Sequence, residues 1–453
     1  MRPMFARRFL LAVVASLSCL PLQAAAEAVE PTPTTVPLSP ELVTAPTDGL
    51  TLTPPSAQEI RDDLPPMPTI DLTTSPDDLW ARVRNGFGMP DLDSPLVANR
   101  QAWYLNRPEM LQRIFDRSRR YLHHIVGELE RRGMPTELAL LPMVESAFNP
   151  LAYSRARALG MWQFIPSTGK NYKLDQNWWL DERRDIIAST SAALDYLQTI
   201  YEMHGDWQLA LASYNWGEHA VARAIAKNQA KGLPTDYASL SMPGETRYYV
   251  PKLQALKNIV AHPELFGIAL EPIPNRPYFG TVDIPGDMDL ALAAKLAEVP
   301  IEEFVALNPA FQRPLIRGGD RAGQLVLPSE KLQTFRANLE RYAASDLPLA
   351  NWRTHSLKAG EQLDAVAKRY GLTVAHLKQL NGITPRVKLH TGFNLLVPGP
   401  GAQLPDRLAA QLPKMPSEPR KGSKGKKRKS HAKGVGKHKP SGTVRRPVNG
   451  KRH

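Results

Sequence analysis

The sequence predicts a mainly α-helical domain followed by small α+β modules. Between about residues 100 and 270, apolar side chains recur at spacings of three and four, which is typical of amphipathic helices. After Pro272 this pattern changes, and two segments of about 45 residues resemble each other as an internal repeat. The 453 residues suffice for two or three domains, and the 42 prolines predict long linkers between them.

The first 26 residues have the pattern of an export signal. A charged start is followed by the apolar run Phe9–Leu20, which is shorter than the roughly 20 residues that span a bilayer, and then by the small residues Ala24–Ala26. We therefore expect a signal peptide at residues 1–26 and a protein exported to the periplasm. Cys19, the only cysteine, predicts an alternative in which a lipid on this residue anchors a lipoprotein; a single cysteine excludes a disulfide within the chain.

Two segments have compositions that predict disorder. Residues 27–78 form a linker rich in Pro, Thr and Ser, and residues 402–453 form a low-complexity tail. Residues 414–453 carry 15 Lys and Arg against one acidic residue, so the net charge of +13 belongs to the tail and the remainder is close to neutral.

The basic tail would attract anionic envelope polymers or lipid headgroups, and the alternative is a solubilising tail without a partner. Binding of nucleic acid would rest on the tail alone, and we do not expect it of an exported chain.

The helical domain is expected to span residues 79–272. Its first clear helix begins near Pro108, a favourable first-turn residue, and its apolar positions continue to Gly133. A second helix begins near Pro135 and extends to Glu145 and Ser146. Further helices are expected at residues 186–203, 206–214, 218–229 and 246–261.

The two repeats predict strand–helix–helix–strand modules. The clearer copy, residues 354–398, has a short strand, a turn at Lys358–Gly360, two short apolar-patterned helices and the closing strand Leu395–Pro398. The weaker copy, residues 281–329, has a similar turn and a closing strand at matching places.

Glu145 is the strongest candidate for a catalytic residue. It lies in the apolar stretch Leu140–Phe148. Burial of a carboxyl group disfavours its charged form and raises its pKa, which suits a general acid that works near neutral pH. The alternative is a glutamate at a helix end that faces solvent.

Three later segments combine aromatic rings with amide or phenol groups: Gly160–Pro166, Ser213–Gly217 and Arg247–Tyr249. Rings can cover the apolar faces of sugars while amides pair with hydroxyl and N-acetyl groups, so together these segments predict a sugar-binding groove. Taken singly, each is more typical of core packing than of a binding site. Trp178 and Trp179 have no such polar neighbour and are expected in the core.

Residues 137–262 resemble the goose-type-lysozyme-like α-helical catalytic domain of the lytic murein transglycosylases. The family's Glu-Ser motif matches Glu145-Ser146, and its Gly-Leu-Met-Gln motif matches Gly160–Gln163. The Ala-Tyr-Asn-Ala-Gly motif matches Ser213–Gly217, and the late tyrosine falls on Tyr249. Four motifs in the same order make the resemblance specific.

The resemblance implies cleavage of the β-1,4 bond between N-acetylmuramic acid and N-acetylglucosamine in peptidoglycan. Glu145 would protonate the glycosidic oxygen and then act as base on the C6 hydroxyl of the muramoyl residue, which gives a 1,6-anhydro product. One carboxylate suffices because the attacking hydroxyl is already part of the substrate.

The resemblance also implies substrate-binding residues. Ser154 matches the position that supports the muramoyl N-acetyl group, Gln163 and Asn215 would orient the glycan, and Tyr249 would steady Glu145 or the intermediate. The complete predicted set is Ser146, Ser154, Gln163, Tyr214, Asn215 and Tyr249.

Residues 354–398 resemble a LysM domain, the βααβ module that binds glycans containing N-acetylglucosamine. Lys358–Leu363 takes the place of its Lys-x-Gly-Asp-Thr-Leu motif, with Glu361 and Gln362 replacing Asp-Thr in the sugar-contacting loop. Residues 281–329 are a degenerate copy, for which glycan binding and a structural role stay open.

Two other functions stay open. A hydrolytic muramidase would activate water with a second carboxylate such as Asp181, and an inactive LysM wall-binding protein would keep the fold without the chemistry. Asp175 is a further candidate carboxylate. Asp181 and Asp185, which flank two arginines, are expected to form a structural charge cluster and a helix cap.

No metal or cofactor is expected. His123 and His124 are adjacent on a predicted helix, so they cannot share one face as metal ligands usually do. The sequence also lacks a Gly-x-Ser-x-Gly nucleophile turn and a complete phosphate-binding loop.

Overall fold

The structure is a computed structural model that describes residues 77–318, 323–385 and 387–402. The predicted signal peptide, nearly all of the 27–78 linker and nearly all of the 402–453 tail lie outside the described residues. No helix within the described ranges is long and apolar enough to cross a membrane.

The helical domain is built around one apolar core, and the predicted mainly helical class is confirmed. Its helices are α1 (Leu79–Asn85), α2 (Pro95–Leu105), α3 (Pro108–Ser118), α4 (Leu122–Arg131), α5 (Leu141–Ser146), α6 (Pro166–Asn171), α7 (Ile186–His204), α8 (Trp207–Trp216), α9 (Glu218–Gln229), α10 (Gly244–Arg247) and α11 (Tyr249–Ala261). A 3₁₀ turn, Thr136–Leu140, leads directly into α5. The helices expected at 186–203 and 218–229 are confirmed, whereas the one expected at 246–261 is divided at Tyr248.

The helix predicted from Pro108 to Gly133 is wrong as one element, because the chain breaks between α3 and α4. At the break, Tyr121 is only 1% exposed, stacks on Phe148 and donates its hydroxyl proton to the carbonyl of Ala306 at 3.0 Å. The neighbouring Arg120 donates to the Glu303 carboxylate at 2.8 and 3.0 Å. These partners lie more than 25 residues away in sequence. The apolar periodicity of the segment itself therefore cannot predict where the helix breaks.

The folded domain begins earlier than residue 79. Asp77 and Asp78 were assigned to the linker, but the backbone carbonyl of Asp77 accepts from the Asn275 amide at 2.8 Å. The Asp78 side chain caps α1 and also accepts from the Ile273 amide at 3.0 Å. Local composition cannot predict these hydrogen bonds, because the partners are about two hundred residues apart in sequence.

Two small modules follow; the second has the predicted βααβ order, and the first adds two short strands and a third helix to this order. The first contains β1 (Phe279–Asp283), β2 (Met288–Asp289), α12 (Leu290–Leu296), α13 (Ile301–Leu307), β3 (Leu315–Ile316), β4 (Gln324–Pro328) and a further helix α14 (Leu332–Ala343). The second contains β5 (Trp352–Ser356), α15 (Leu363–Arg369), α16 (Val374–Leu380) and β6 (Asn394–Pro398). In each, the first and last strands pair antiparallel, β1 with β4 and β5 with β6.

Trp178 and Trp179 are not in the core of the helical domain, where they were expected. Both are partly buried at a junction, where the Trp178 indole N–H donates to the carbonyl of Asn381 in the second module at 3.2 Å. The Trp179 carbonyl accepts from the Gln312 amide of the first module at 2.9 Å. The Arg313 guanidinium lies 4.3 Å from the centre of the Trp178 ring. These tryptophans therefore dock both modules on the helical domain.

The two modules are also joined to each other directly. The backbone and side-chain N–H groups of Asn351 each donate to the Asp289 carboxylate at 3.0 Å. The Asp289 amide in turn donates to the carbonyl of Leu349 at 2.8 Å. The segment between the modules is thus held by hydrogen bonds at its C-terminal end.

Candidate active site

A cleft of about 640 Å³ opens in the helical domain between α5, the 154–168 segment and the helices α8 to α11. Six of the seven predicted site residues line this cleft, namely Glu145, Ser154, Gln163, Tyr214, Asn215 and Tyr249. The exception is Ser146.

Helix α5 places Glu145 in its last turn. Pro142, in the first turn, suits a helix start because its missing N–H has no partner to lose. Ala147 and Phe148 both have a φ of 54°, a left-handed conformation that ends the helix. The Phe148 amide donates back to the Pro142 carbonyl at 3.1 Å, and its ring is fully buried. The buried ring therefore anchors the chain directly after the candidate acid.

The Glu145 carboxyl is poised between its two protonation states. Burial raises its pKa to about 7, although a hydrogen bond from the Tyr249 hydroxyl and the nearby charge of Lys252 act in the opposite direction. The nearby carboxylate of Glu245 adds to the increase. Burial therefore keeps Glu145 protonated at pH values where an exposed glutamate is ionised. This is the environment that the apolar sequence context predicts.

Tyr249 and Tyr214 supply hydroxyl groups around Glu145. Tyr249 is 2% exposed and begins α11, and its hydroxyl donates to Glu145. The Tyr214 hydroxyl donates to the carbonyl of Trp162 at 2.9 Å. Burial, and next the negative charge of Glu145, raises the pKa of both tyrosines well above the usual range. Both phenols therefore stay neutral hydrogen-bond donors at physiological pH.

A tight turn at Gly160 brings Gln163 into the cleft. Gly160 has a φ of +79°, and a Cβ atom there would lie 2.0 Å from the carbonyl oxygen of Arg183. Only glycine fits such a close approach. Gln163 is itself left-handed, with a φ of 53°, and its side-chain amide donates to the Gly160 carbonyl at 2.8 Å. The side-chain oxygen of Gln163 thereby remains available to a ligand.

Ser154 and Asn215 are oriented by hydrogen bonds within the protein. The Ser154 hydroxyl oxygen accepts from the Ala158 amide at 3.0 Å, which leaves its proton for a ligand. The Asn215 side-chain oxygen accepts from the Thr246 hydroxyl at 2.8 Å. Its NH₂ group is then left as a donor in the cleft, which suits recognition of a carbonyl oxygen.

Ser146 does not line the cleft, contrary to the prediction that it binds substrate. Its hydroxyl donates to the carbonyl of Met161 at 2.9 Å. The bond ties the end of α5 to the turn that carries Gln163. The motif match identified Ser146, but only the tertiary contact reveals that it holds two parts of the site together.

The sequence predictions missed several residues that line the cleft, among them Tyr196, Glu218, Glu245 and Lys252. The Tyr196 hydroxyl donates to the Glu218 carboxylate at 2.8 Å. Burial works against ionisation of Glu218, but hydrogen bonds from its own amide and from Tyr196 keep its pKa below the usual value. Lys252 could have been found, because it follows Tyr249 by three residues and such residues share a helix face.

The candidate second carboxylates do not line the cleft. Asp181 accepts from the Arg183 guanidinium at 2.9 and 2.7 Å, and Asp185 caps α7 by accepting from the amides of Ile187 and Ala188. The predicted charge cluster and helix cap are confirmed. In the part of the chain that the structure describes, no group of three or more His, Cys, Asp or Glu side chains is arranged to hold a metal ion.

Family models match all three folded units. The model described as "Transglycosylase SLT domain" matches residues 125–235, which include Glu145, Gln163 and Asn215. "Lytic transglycosylase MltD, LysM-like domain" matches residues 278–344, and "LysM domain" matches residues 355–398. The first module therefore extends through α14, beyond the predicted limit at residue 329.

Curated relatives agree with these matches. Membrane-bound lytic murein transglycosylase D of Escherichia coli (strain K12) is 34% identical over 330 residues, which cover 71% of this chain and 72% of the relative. Membrane-bound lytic murein transglycosylase C of Glaesserella parasuis serovar 5 is 29% identical over 158 residues, which cover 32% of this chain and 40% of the relative. The alignment with the first relative is longer than the helical domain, and the cleft holds a glutamate among tyrosines and amides. The chain therefore belongs to the lytic murein transglycosylase family.

Proposed function

We propose that Glu145 carries out both proton transfers of the peptidoglycan lytic transglycosylase reaction. This reaction breaks the β-1,4 bond between N-acetylmuramic acid and N-acetylglucosamine and leaves a 1,6-anhydromuramoyl end. Glu145 first donates its proton to the glycosidic oxygen as the bond breaks. The resulting carboxylate then accepts the proton of the C6 hydroxyl as that oxygen bonds to C1, so Glu145 returns to its protonated form.

The placement of Glu145 carries this proposal, because its carboxyl lies in the cleft, accepts a hydrogen bond from the Tyr249 hydroxyl, and has its pKa raised to about 7 by burial. An acid must be protonated for the first transfer and a base ionised for the second, and a group whose two forms are close in free energy can do both. The hydroxyl of Tyr249 and the charge of Lys252 favour the carboxylate, so they support the intermediate state in which Glu145 is ionised. No water has to be activated, because the C6 hydroxyl is already in place.

The substrate contacts follow from the groups left available in the cleft. We propose that the Ser154 hydroxyl and the Asn215 NH₂ group donate to acetamido or hydroxyl oxygens of the glycan, and that the Gln163 side-chain oxygen accepts from a hydroxyl or N–H group. Tyr214 would form part of the cleft wall beside Glu145. Ser146 is proposed as a positioning residue, because its hydroxyl contacts Met161 instead of the cleft.

The two modules are proposed to have different roles. The module at residues 354–398 would hold the enzyme on glycan strands, which raises the local concentration of substrate without adding catalytic contacts. The first module, predicted at residues 281–329, would be a structural connector. The Arg120–Glu303 ion pair and the pairing of Leu180 with Phe311 support this role, because they fasten that module to the helical domain.

We expect the rate of cleavage to fall as the pH rises through about 7, because Glu145 must be protonated to donate. In Lys252→Met, loss of a positive charge raises the Glu145 pKa, so the fall should move to higher pH. In Glu245→Gln, loss of a negative charge lowers this pKa, so the fall should move to lower pH. Values of kcat on soluble glycan strands between about pH 5 and about pH 9 measure both shifts.

Opposite shifts from two neighbouring residues are hard to produce by general damage to the fold. Lys227→Met serves as the matched control, because Lys227 is exposed near the end of α9 and does not line the cleft. This variant loses the same charge and should keep the wild-type profile. If Lys252→Met and Glu245→Gln moved the profile in the same direction, Glu145 would not be the titrating acid.

The location of the enzyme is proposed from the sequence. The predicted signal at residues 1–26 supports export to the periplasm, and the names of both curated relatives describe membrane-bound enzymes. Cys19 would provide a lipid anchor in the lipoprotein alternative. We further propose that the basic tail binds anionic envelope polymers or lipid headgroups by charge.

Truncation after residue 413 tests the proposal for the tail. Exposed charges are screened beyond about 8 Å at physiological salt, so binding through the tail must weaken as salt increases, whereas hydrogen bonds and packing in the second module should persist. Pull-down by purified wall sacculi across a series of salt concentrations should therefore show a salt-sensitive part that truncation removes. A full-length tail with serine in place of its lysines and arginines is the control for length. An unchanged salt dependence after truncation would leave the tail without an anchoring role.

A further inference from the structure

Trp216 presents an aromatic ring to the cleft that the steps proposed above do not use. It is the last residue of α8, is partly buried against the helical core, and lines the cleft between Asn215 and Gly217. In the family motif quoted above, this position between asparagine and glycine is an alanine. The indole therefore replaces the small side chain of that motif.

Other tryptophans of the helical domain have partners within the protein. The Trp162 indole N–H donates to the Thr190 hydroxyl at 3.0 Å, and Trp207 stacks on Tyr201 with 4.2 Å between ring centroids. Trp80 packs edge-on against Phe115 at 5.7 Å. Among the described residues, Trp216 has neither a ring partner nor a hydrogen bond from its N–H. An indole that packs on one side and opens to a cleft on the other is suited to a ligand that is apolar on one face and polar at its edge.

The chain around Trp216 leaves room for such a ligand. Gly217 has a φ of +94°, and apart from its two chain neighbours no residue lies within 4 Å of the place where a Cβ would be. Gly217 lines the cleft too, so the chain directly after Trp216 borders open space. On the other side of Trp216, Asn215 is fixed by Thr246 with its NH₂ group as the available donor.

We propose that the indole of Trp216 is a stacking platform for one pyranose ring of the glycan strand. The apolar C–H face of the sugar would lie on the ring, the indole N–H would donate to a hydroxyl or acetamido oxygen, and Asn215 would bind the same or the adjoining sugar. This inference rests on the proposed use of the cleft for glycan. It adds a subsite that depends on tryptophan and determines how tightly the strand is held.

Three variants at Trp216 separate stacking from packing. Trp216→Ala should raise the KM for soluble glycan strands about tenfold or more, which corresponds to about 1.4 kcal/mol of binding free energy, with a much smaller change in kcat. Trp216→Leu keeps apolar packing without a flat ring and should show a similar increase in KM at an unchanged Tm. Trp216→Phe keeps a ring without the N–H and should lie between these variants and the wild type.

The affinity of the cleft for a tetrasaccharide of N-acetylglucosamine gives a second readout that does not require turnover. It is measured by calorimetry on the full chain and fitted with two classes of site, because the module at residues 354–398 is proposed to bind the same ligand and its site should be unchanged in every Trp216 variant. The affinity of the cleft should fall in parallel with the increase in KM. Trp207→Ala is the matched control, because Trp207 begins the same helix but stacks on Tyr201 and does not line the cleft. It should keep the wild-type KM and affinity.

Wild-type affinity and KM in Trp216→Leu would overturn the proposal, since the indole would then serve packing alone. An increase in KM in Trp207→Ala as large as that in Trp216→Leu would also overturn it, because the effect would then be one of helix stability. The result is separable from the role of Glu145, because the Glu145→Gln variant loses kcat and should still bind the tetrasaccharide through Trp216.

Discussion

Replacing Glu145 by glutamine should reduce cleavage of peptidoglycan by about 10²–10⁴-fold, the usual contribution of a general acid–base group. The glutamine amide keeps the shape of the side chain, and its oxygen can still accept the hydrogen bond from Tyr249. It has no acidic proton to deliver to the glycosidic oxygen. The amounts of 1,6-anhydromuropeptides released from purified peptidoglycan, determined by mass spectrometry, measure the loss, and circular dichroism tests whether the fold is kept.

Glu218→Gln is the matched control for this experiment. Glu218 is another carboxylate that lines the same cleft, but it accepts a hydrogen bond from Tyr196 and its pKa is below the usual value. An ionised carboxylate cannot act as an acid, so this variant should retain most of the activity. A loss as large as that in Glu145→Gln would mean that the reaction needs two carboxylates, and near wild-type activity of Glu145→Gln would remove Glu145 from the chemistry.

Gly160→Ala should be the most damaging single substitution outside the reacting groups. A left-handed φ costs a residue with a Cβ on the order of 1 kcal/mol, and here the added atom would also lie 2.0 Å from the backbone oxygen of Arg183. The backbone at Arg183 cannot move away from the added methyl group as easily as a flexible side chain could. We expect a loss of stability of about 3 kcal/mol or more, together with loss of activity, because the Gly160 carbonyl holds the Gln163 side chain. Thermal unfolding and the rate of cleavage measure the two effects.

Gly205→Ala separates the close approach from the conformational cost. Gly205 ends α7 with a φ of +65°, and apart from its two chain neighbours no residue lies within 4 Å of the place where its Cβ would be. The variant should lose only about 1 kcal/mol and should keep its activity. Equal losses of stability in the two variants would show that the contact between Gly160 and Arg183 can relax.

Local sequence determined much of the helical domain. Helix α7 was predicted nearly to its ends, because its cap Asp185 and the glycine that terminates it, Gly205, act on the backbone within a few residues. The environment of Glu145 also agrees with the prediction, because burial raises the pKa of a carboxyl that follows buried apolar residues of the same short helix. Helix ends and the apolar surroundings of a residue on a short helix depend on neighbours in sequence. Residue patterns and motifs are therefore sufficient to predict them.

Only the tertiary structure decided which groups meet. Ser146 turns to Met161 instead of the cleft, a contact that no motif indicates. The hydroxyl of Tyr249 reaches Glu145 across 104 residues of sequence, a contact that the family resemblance implied but that spacing and periodicity did not. Trp178, expected in the core, instead docks the second module, and the helix predicted from Pro108 breaks where Tyr121 contacts the first module. Contacts between distant segments have no period and no fixed spacing in the sequence. Their geometry is set by how the helices pack, and that packing determines whether a glutamate at the end of a short helix becomes an acid.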